Sequence, residues 1–535
     1  MKKGRRVATL FVCAALCQIY VCAVGLDVRA ALNGTPSLVA TASKERPATK
    51  KALSKSLAHY TRGIIYDAEN KIEEAVRQYQ QSIEYDNKQP SVYLRLGVDY
   101  LILGKNKEAI EALRLAKRYD PDDARPRFLL ALVYTGIKRL AEAQKEYEEI
   151  ITAKPQDLQA LTSLADLFVV GQKLKEAAAI YEDLLKKKRG KKEETMLHFN
   201  LGLIYAKMER LDDAIAHLEA ALKLQPDYVE AYLALGILYG FRKQEEEAIR
   251  KFKELLTKDP QNIEARRFLG FIYLDQGNLR DAIGQFEMVS RIAPDEPSSY
   301  LDLATVYLKM DKPGEAKKIL ARAEERNIKD VKLFIVEGFI YSQQNQLPEA
   351  IAAYRKALAM EPENSVCNFY LGAVYERSGQ KKEAIDFLRK AIEFDEKNAE
   401  AYNYLGYMFA EENTNLDEAI ILVNKALELE PENGAFIDSL GWAYFRKGWI
   451  EKAAIELEKA LKREPKDPTI YDHLGEVYFR EGLLQKARHQ WRKSLHIDPK
   501  QEKVRMKLER YMEGAGPPRH VRQKAGRGGY EKAGY

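Results

Sequence analysis

Cysteine is nearly absent from the body of this chain. Of four cysteines, Cys13, Cys17 and Cys22 fall in the first 22 residues and only Cys367 lies beyond them. One thiol cannot staple a fold or build a Cys-based zinc cage, so a disulfide scaffold and a zinc ribbon are excluded. No stretch alternates apolar and polar residues as a half-buried strand would. HExxH, GxxxxGK[ST] and a Gly-rich dinucleotide fingerprint are also missing, and with them the usual signs of a metalloprotease, a phosphate loop and a nucleotide fold. The nearest lookalike, Gly104-Lys105, lacks the earlier glycine. Positive charge is scarce where nucleic acid would need it. The net charge of +6 is +4 in residues 1–23, +4 in 24–58 and +4 in 514–535, leaving −6 for the body between. An acidic body supplies no phosphate groove, and no nucleic-acid partner is expected.

What is present begins with a leader. Met1 to Arg6 is basic, and Val7 to Leu26 is a 20-residue run broken only by Thr9, Gln18 and Tyr20. Cations followed by an apolar run form a secretory signal, and this run is also about long enough to span a bilayer. Residues 1–23 therefore read as a signal peptide or a retained N-terminal membrane anchor, and the chain as exported. Neither Cys17 nor Cys22 is preceded by the small residue a lipidation site wants. Residues 24–55, rich in Ala, Ser, Thr, Pro and Lys, read as a flexible linker. Residues 514–535 (GAGPPRHVRQKAGRGGYEKAGY) read as a disordered basic tail.

Everything between repeats. A small residue, an aromatic three later and an alanine nine after that recur from Gly63, Tyr66, Ala75 to Gly475, Tyr478, Ala487. There are thirteen such units over residues 56–501, spaced by 34 residues except for one step of 37 and one of 35. Each unit holds two helical apolar patterns and usually ends at a proline, which cannot continue a helix. In the fifth unit Met196, Phe199 and Leu203 mark the first pattern, and Ala214, Leu218, Ala221 and Leu222 the second. The eighth and twentieth places stay small because paired helices cross closely there, and the aromatic fills the space between them. Residues 502–513 form a plausible capping helix, which a stacked array needs over its last apolar face.

The period and its small-aromatic-alanine signature resemble the tetratricopeptide repeat. The resemblance implies an all-α fold: an α-solenoid of about thirteen helical hairpins in a right-handed superhelix, with first helices lining a concave face and a C-terminal capping helix. It also implies a protein-binding role without catalysis. No cofactor or metal is expected. His489 and His496 could share a helix face but have no placed carboxylate beside them, and Asp438-Ser439 has no histidine in its own unit. The chain is not expected to be an enzyme, because no nucleophile, base and oxyanion donor are brought together.

The working surface is then the concave groove, and its partners are other proteins. Apolar and aromatic side chains at groove places mark a contact strip. The C-terminal third adds charge, which selects Phe339, Phe369, Arg377, Asn403, Tyr407, Asp438, Trp442, Phe445, Arg446, Asp472, Phe479 and Arg480 as partner-binding residues. Tetratricopeptide domains that hold chaperone C-termini clamp two carboxylates with Lys, Asn and Arg. Asn403 sits at such a place, but the partner cations are out of register. Lys186 to Lys192 (KKKRGKK) coincides with the three-residue insertion and reads as a lengthened solvated turn or an acidic docking point. The stretch Asn433 to Gly448 (NGAFIDSLGWAYFRKG) with DHLGEVYFREG at 472–482 resembles the end of a group of Gram-negative envelope repeat proteins. Some of these are lipoproteins that hold a C-terminal-processing protease near its substrates. That likeness implies an adaptor in the periplasm or anchored in the cell envelope, with membrane association through the N-terminus. A component of polysaccharide or pilus export is the other reading. Partner identity and oligomeric state are not legible.

Overall fold

The computed structural model describes residues 49–512. The leader, most of the linker and the basic tail lie outside the described residues. Among the described residues there are 27 helices and no strand. Twenty-six pair into thirteen antiparallel hairpins, each with a first helix (A) and a second (B), and the last stands alone. The hairpins fall into two compact parts. Residues 49–292 hold repeats 1 to 7, and residues 293–512 hold repeats 8 to 13 and the final helix.

The local cause of each hairpin is visible in its two turns. The fifteenth place of every repeat has positive φ, from Asn70 (59°) to Gly482 (80°). This left-handed residue ends the A helix and turns the chain back. The next N–H then reaches the carbonyl of the eleventh-place aromatic, as Gln244 N–H does to Tyr239 O at 2.9 Å in repeat 6. Glycine takes the place without strain five times. Asn, Asp, Lys, Gln or Glu takes it in the other repeats. At the other turn, an Asx side chain before the A helix accepts an N-terminal N–H that no carbonyl can reach. Asp157 does this for Ala160, Asn262 for Ala265 and Asn364 for Cys367, each at 2.9 Å.

The small eighth place has a specific neighbour. A methyl added at Gly63, Gly236, Gly270, Gly338 or Gly475 would lie 2.3 to 2.7 Å from the ring of Tyr79, Phe252, Phe286, Tyr354 or Trp491. Each ring is fully buried, so the glycine makes room for a large B-helix side chain. The eleventh-place aromatic does more than fill space. Its hydroxyl crosses to the preceding repeat's B helix twenty residues earlier: Tyr239 donates to Glu219 at 3.0 Å, Tyr478 donates to Glu458 at 2.7 Å, and Tyr134 accepts from Arg114 at 2.9 Å. Packing and these bonds run mainly between neighbouring repeats, as expected of a quasi-one-dimensional stack.

Three boundaries differ from expectation or refine it. The first helix starts at Lys50, six residues inside the segment read as linker, and runs 19 residues to Ala68. The three-residue insertion lengthens the A helix of repeat 5 to 17 residues, Lys191–Lys207. The one-residue insertion in repeat 11 gives its A–B turn a second left-handed residue, Asn415, after Asn413. The final helix, Glu502–Met512, covers repeat 13. Its Val504 is buried, and Tyr511 packs 4.4 Å from Phe479 and 6.1 Å from Trp491, ring centre to ring centre.

Candidate functional site

The candidate residues lie on successive A helices: Val331–Gln343, Ser365–Arg377, Ala399–Glu411, Gly434–Lys447 and Pro468–Arg480. Because each A helix stacks on the next in the same orientation, residues at one place in the repeat form a row. Phe339, Phe369, Asn403, Tyr407 and Phe479 are half-buried in these rows. Phe339 meets Tyr370 edge-on at 6.2 Å, and Phe369 meets Tyr404 at 5.7 Å.

The structure corrects the expectation that Trp442, Phe445 and Asp438 stand free in a groove. They are 7%, 8% and 6% exposed. Trp442 is stacked 5.0 Å from Phe445 on its own helix and 4.2 Å from His473 on the next. His473 hydrogen-bonds both oxygens of Asp438 at 2.9 and 3.0 Å across the repeat boundary. Burial opposes the imidazolium charge, but Asp438, with Asp472 and Glu411 further off, outweighs it and raises the His473 pKa. A cationic ring lying flat on an indole adds cation–π attraction. These residues are therefore part of the core that joins repeats 12 and 13.

Two other candidates are also held by neighbours. Arg377 donates to the carbonyl and hydroxyl oxygens of Ser342 at 3.0 and 2.7 Å, tying repeat 10 to repeat 9. Asp472 receives Lys507 of the final helix at 2.8 Å, and Glu476 shares the same ammonium at 2.7 Å. Burial works against that charge, yet the two carboxylates raise the Lys507 pKa. Tyr407 has its pKa raised by burial first, then by Glu411 and Asp438.

Arg446 and Arg480 remain as open groups. The Arg446 guanidinium lies 5.7 Å over Trp442, and that of Arg480 lies 5.5 Å over Phe445. Among the described residues neither makes an ion pair. Two buried polar atoms on adjacent A helices also have no hydrogen-bond partner in the described structure: Asn403 Oδ1 and Trp442 Nε1. Such a group costs about 1–3 kcal/mol unless something meets it.

The sequence reading missed His473, Lys507 and Tyr404. The signal was spacing. His473 pairs with Asp438 and Lys507 with Asp472 at 35 residues, one repeat plus one, so a sixth-place cation faces the fifth-place acid before it. Searching within a unit, as for Asp438-Ser439, could not find it.

The described residues hold no group of three or more metal-ligating side chains. His489 and His496 are exposed. His198 and His217 meet at 2.9 Å, and burial lowers both pKa values. Cys367 is buried, donates to Tyr354 O at 3.3 Å, and has its thiol pushed up by burial to about 12, which makes it a poor nucleophile.

Tetratricopeptide repeat models match residues 60–124, 94–157, 128–192 and 439–502, and another matches 242–300 and 341–406. A TPR repeat model matches residues 202–240, and together these cover about two thirds of the chain. No curated protein matches it. Among solved structures, the chain is similar to one in the APC/C hetero-tetramer Cut9-Hcn1, with 16% identity over 87% of this chain and 98% of that one, at a TM-score of 0.42. It is similar to MamA protein at 26% identity over 35% and 98%, with a TM-score of 0.27. A chain in the structure of Naa15/Naa10 bound to HypK-THB gives 18% identity over 86% and 73%, with a TM-score of 0.33.

Proposed function

Since the chain belongs to the tetratricopeptide repeat family, we propose that it is a non-enzymatic scaffold that binds a segment of another protein along the A helices of repeats 10 to 13. The observation that carries this reading is the pair of guanidiniums without an ion pair, Arg446 and Arg480, on the same row of A helices as the half-buried rings of Tyr407 and Phe479. Each guanidinium can donate to a carboxylate or a main-chain carbonyl of a bound segment. Half-buried Tyr407 and Phe479 supply apolar area beside them. The reading extends to the cell envelope, where the scaffold is exported, periplasmic or held by its N-terminus, and brings a periplasmic protease to its substrates. The basic, then apolar N-terminus and the NGAFIDSLGWAYFRKG stretch support that extension.

The test is capture of envelope proteins by the immobilised chain and by an Arg446→Glu/Arg480→Glu variant. Arg480 is exposed and Arg446 half-buried, so circular dichroism of both proteins is recorded alongside to show that the helices persist. The variant is expected to capture at least tenfold less of a partner set that includes a protease. Equal capture by both proteins contradicts the site, and a partner set without a protease contradicts the adaptor role.

A further inference from the structure

The repeat period breaks once by three residues, and the break carries charge. The junction between repeats 4 and 5 reads Lys186-Lys187-Lys188-Arg189-Gly190-Lys191-Lys192. The insertion makes the A helix of repeat 5 17 residues long, against 13 for those of repeats 4 and 6, Leu158–Val170 and Val229–Phe241. Some of the charge is met locally. Lys186 and Lys187 lie 4.0 and 3.3 Å from Asp183, while Arg189 donates to Leu184 O at 3.1 Å and faces Glu193 at 3.8 Å. Lys188, Lys191 and Lys192 are exposed, and among the described residues their side-chain ammoniums make no ion pair or hydrogen bond. Lys191 and Lys192 also open a helix, the end where its dipole repels cations. A cluster that breaks the local rule and gains nothing within the fold points to something outside it.

Topology says where this cluster faces. A helices of stacked hairpins run parallel, so their N-terminal ends share one edge with the B-to-A junctions. Within residues 49–292, that edge carries both the 186–192 loop and Thr49, where the preceding chain enters the first helix. The preceding chain contains Lys2, Lys3, Arg5 and Arg6 ahead of the apolar run Val7 to Leu26.

We propose that the Lys186–Lys192 loop docks on a bilayer surface of anionic phospholipid, with Lys188, Lys191 and Lys192 making the contact. Lysine is a mobile point charge without the planar fork that reads a single carboxylate or phosphate, which suits a diffuse layer of headgroups. Around Gly190 there is open space, and a methyl placed there would meet nothing. A polybasic patch and an apolar segment in one chain are the two weak signals that together hold proteins stably at membranes. The inference is independent of the partner site in repeats 10 to 13, and either can fail alone.

The test is co-sedimentation of the full chain with vesicles of phosphatidylcholine alone and with 30% phosphatidylglycerol. A Lys188→Gln/Lys191→Gln/Lys192→Gln variant is compared with a Lys382→Gln/Lys397→Gln/Lys466→Gln control, which removes the same charge from exposed lysines elsewhere. The loop variant is expected to bind the anionic vesicles roughly a hundredfold more weakly at low salt, from about fivefold per lysine, with the gap closing at high salt. The control is expected to stay within about twofold of the wild type by the same surface rule. Unchanged binding by the loop variant overturns the proposal, as does an equal loss in both variants. If only binding to soluble polyglutamate depends on the loop, the occupant is an acidic protein segment, which also overturns it.

Discussion

His473 of repeat 13 is bonded to Asp438 of repeat 12 at 2.9 Å, and its ring lies 4.2 Å from Trp442. One buried ion pair thus joins two successive repeats through side chains 35 residues apart in the chain. Besides Asp438, the groups facing it are Asp472 on its own helix and Glu411 on repeat 11. Lys507 faces Asp472 from the final helix.

Its pKa is raised in the fold, so its stabilising contribution is full below the ordinary histidine value of about 6.5 and is lost as pH climbs through the folded value. Thermal unfolding followed by Trp fluorescence is expected to show the C-terminal repeats weakening above neutrality. Asp438→Asn leaves a buried ring without its counter-charge and is expected to cost about 3 kcal/mol at pH 6. The cost shrinks as pH rises. A pH-independent difference between variant and wild type contradicts the assignment.

The left-handed turns allow a stabilising change. Lys138, Gln172 and Lys243 hold φ near 60°. Replacing each with Gly removes the Cβ penalty at some entropic cost to the unfolded chain, for a net gain of about 0.5–1 kcal/mol apiece. Urea denaturation of Lys243→Gly checks this, with a midpoint above wild type expected. The same change at Ala234, a buried helical position, is expected to destabilise.

The tyrosines that donate to a carboxylate of the preceding repeat, Tyr205, Tyr239 and Tyr478, titrate late. Burial first, then the Glu219 hydrogen bond, pushes Tyr239 up to about 12. A raised phenol pKa means stability that persists below pH 10 and is lost between there and about 12. Ultraviolet titration near the phenolate band is expected to show a late class of tyrosines, and Tyr239→Phe is expected to remove one member and about 1 kcal/mol.

Gly475→Ala tests the close crossing. The new methyl would lie 2.4 Å from Trp491 Nε1, and Trp491 is fully buried with no room to yield. A loss of about 2–3 kcal/mol is expected from overpacking. In contrast, Gly190→Ala meets open space and should be near neutral.

The array was legible because it repeats. Thirteen copies of one small-aromatic-alanine spacing left no room for another fold, and the helices follow it from Ile72 to Ile497. The first helix's start at Lys50 was not legible, because Lys-Lys-Ala-Leu-Ser carries no full period ahead of Ser56. The site was legible only as a row of places. Sequence alone put Trp442 and Phe445 on the open face because helical position sets direction. How much solvent remains there is set by the next repeat's His473 and Arg480, which lie 31 and 35 residues further on. The Arg446 and Arg480 guanidiniums lie over the ring faces of Trp442 and Phe445.

The central claim is that the A-helix face of repeats 10 to 13 is the working surface. Photo-crosslinking tests it most directly, with a reactive residue placed in turn at Glu411, at Arg480 and at Ile421, which is 68% exposed on a B helix. Crosslinks to a partner from Glu411 and Arg480 and none from Ile421 are predicted. Crosslinks from Ile421 alone would contradict the account.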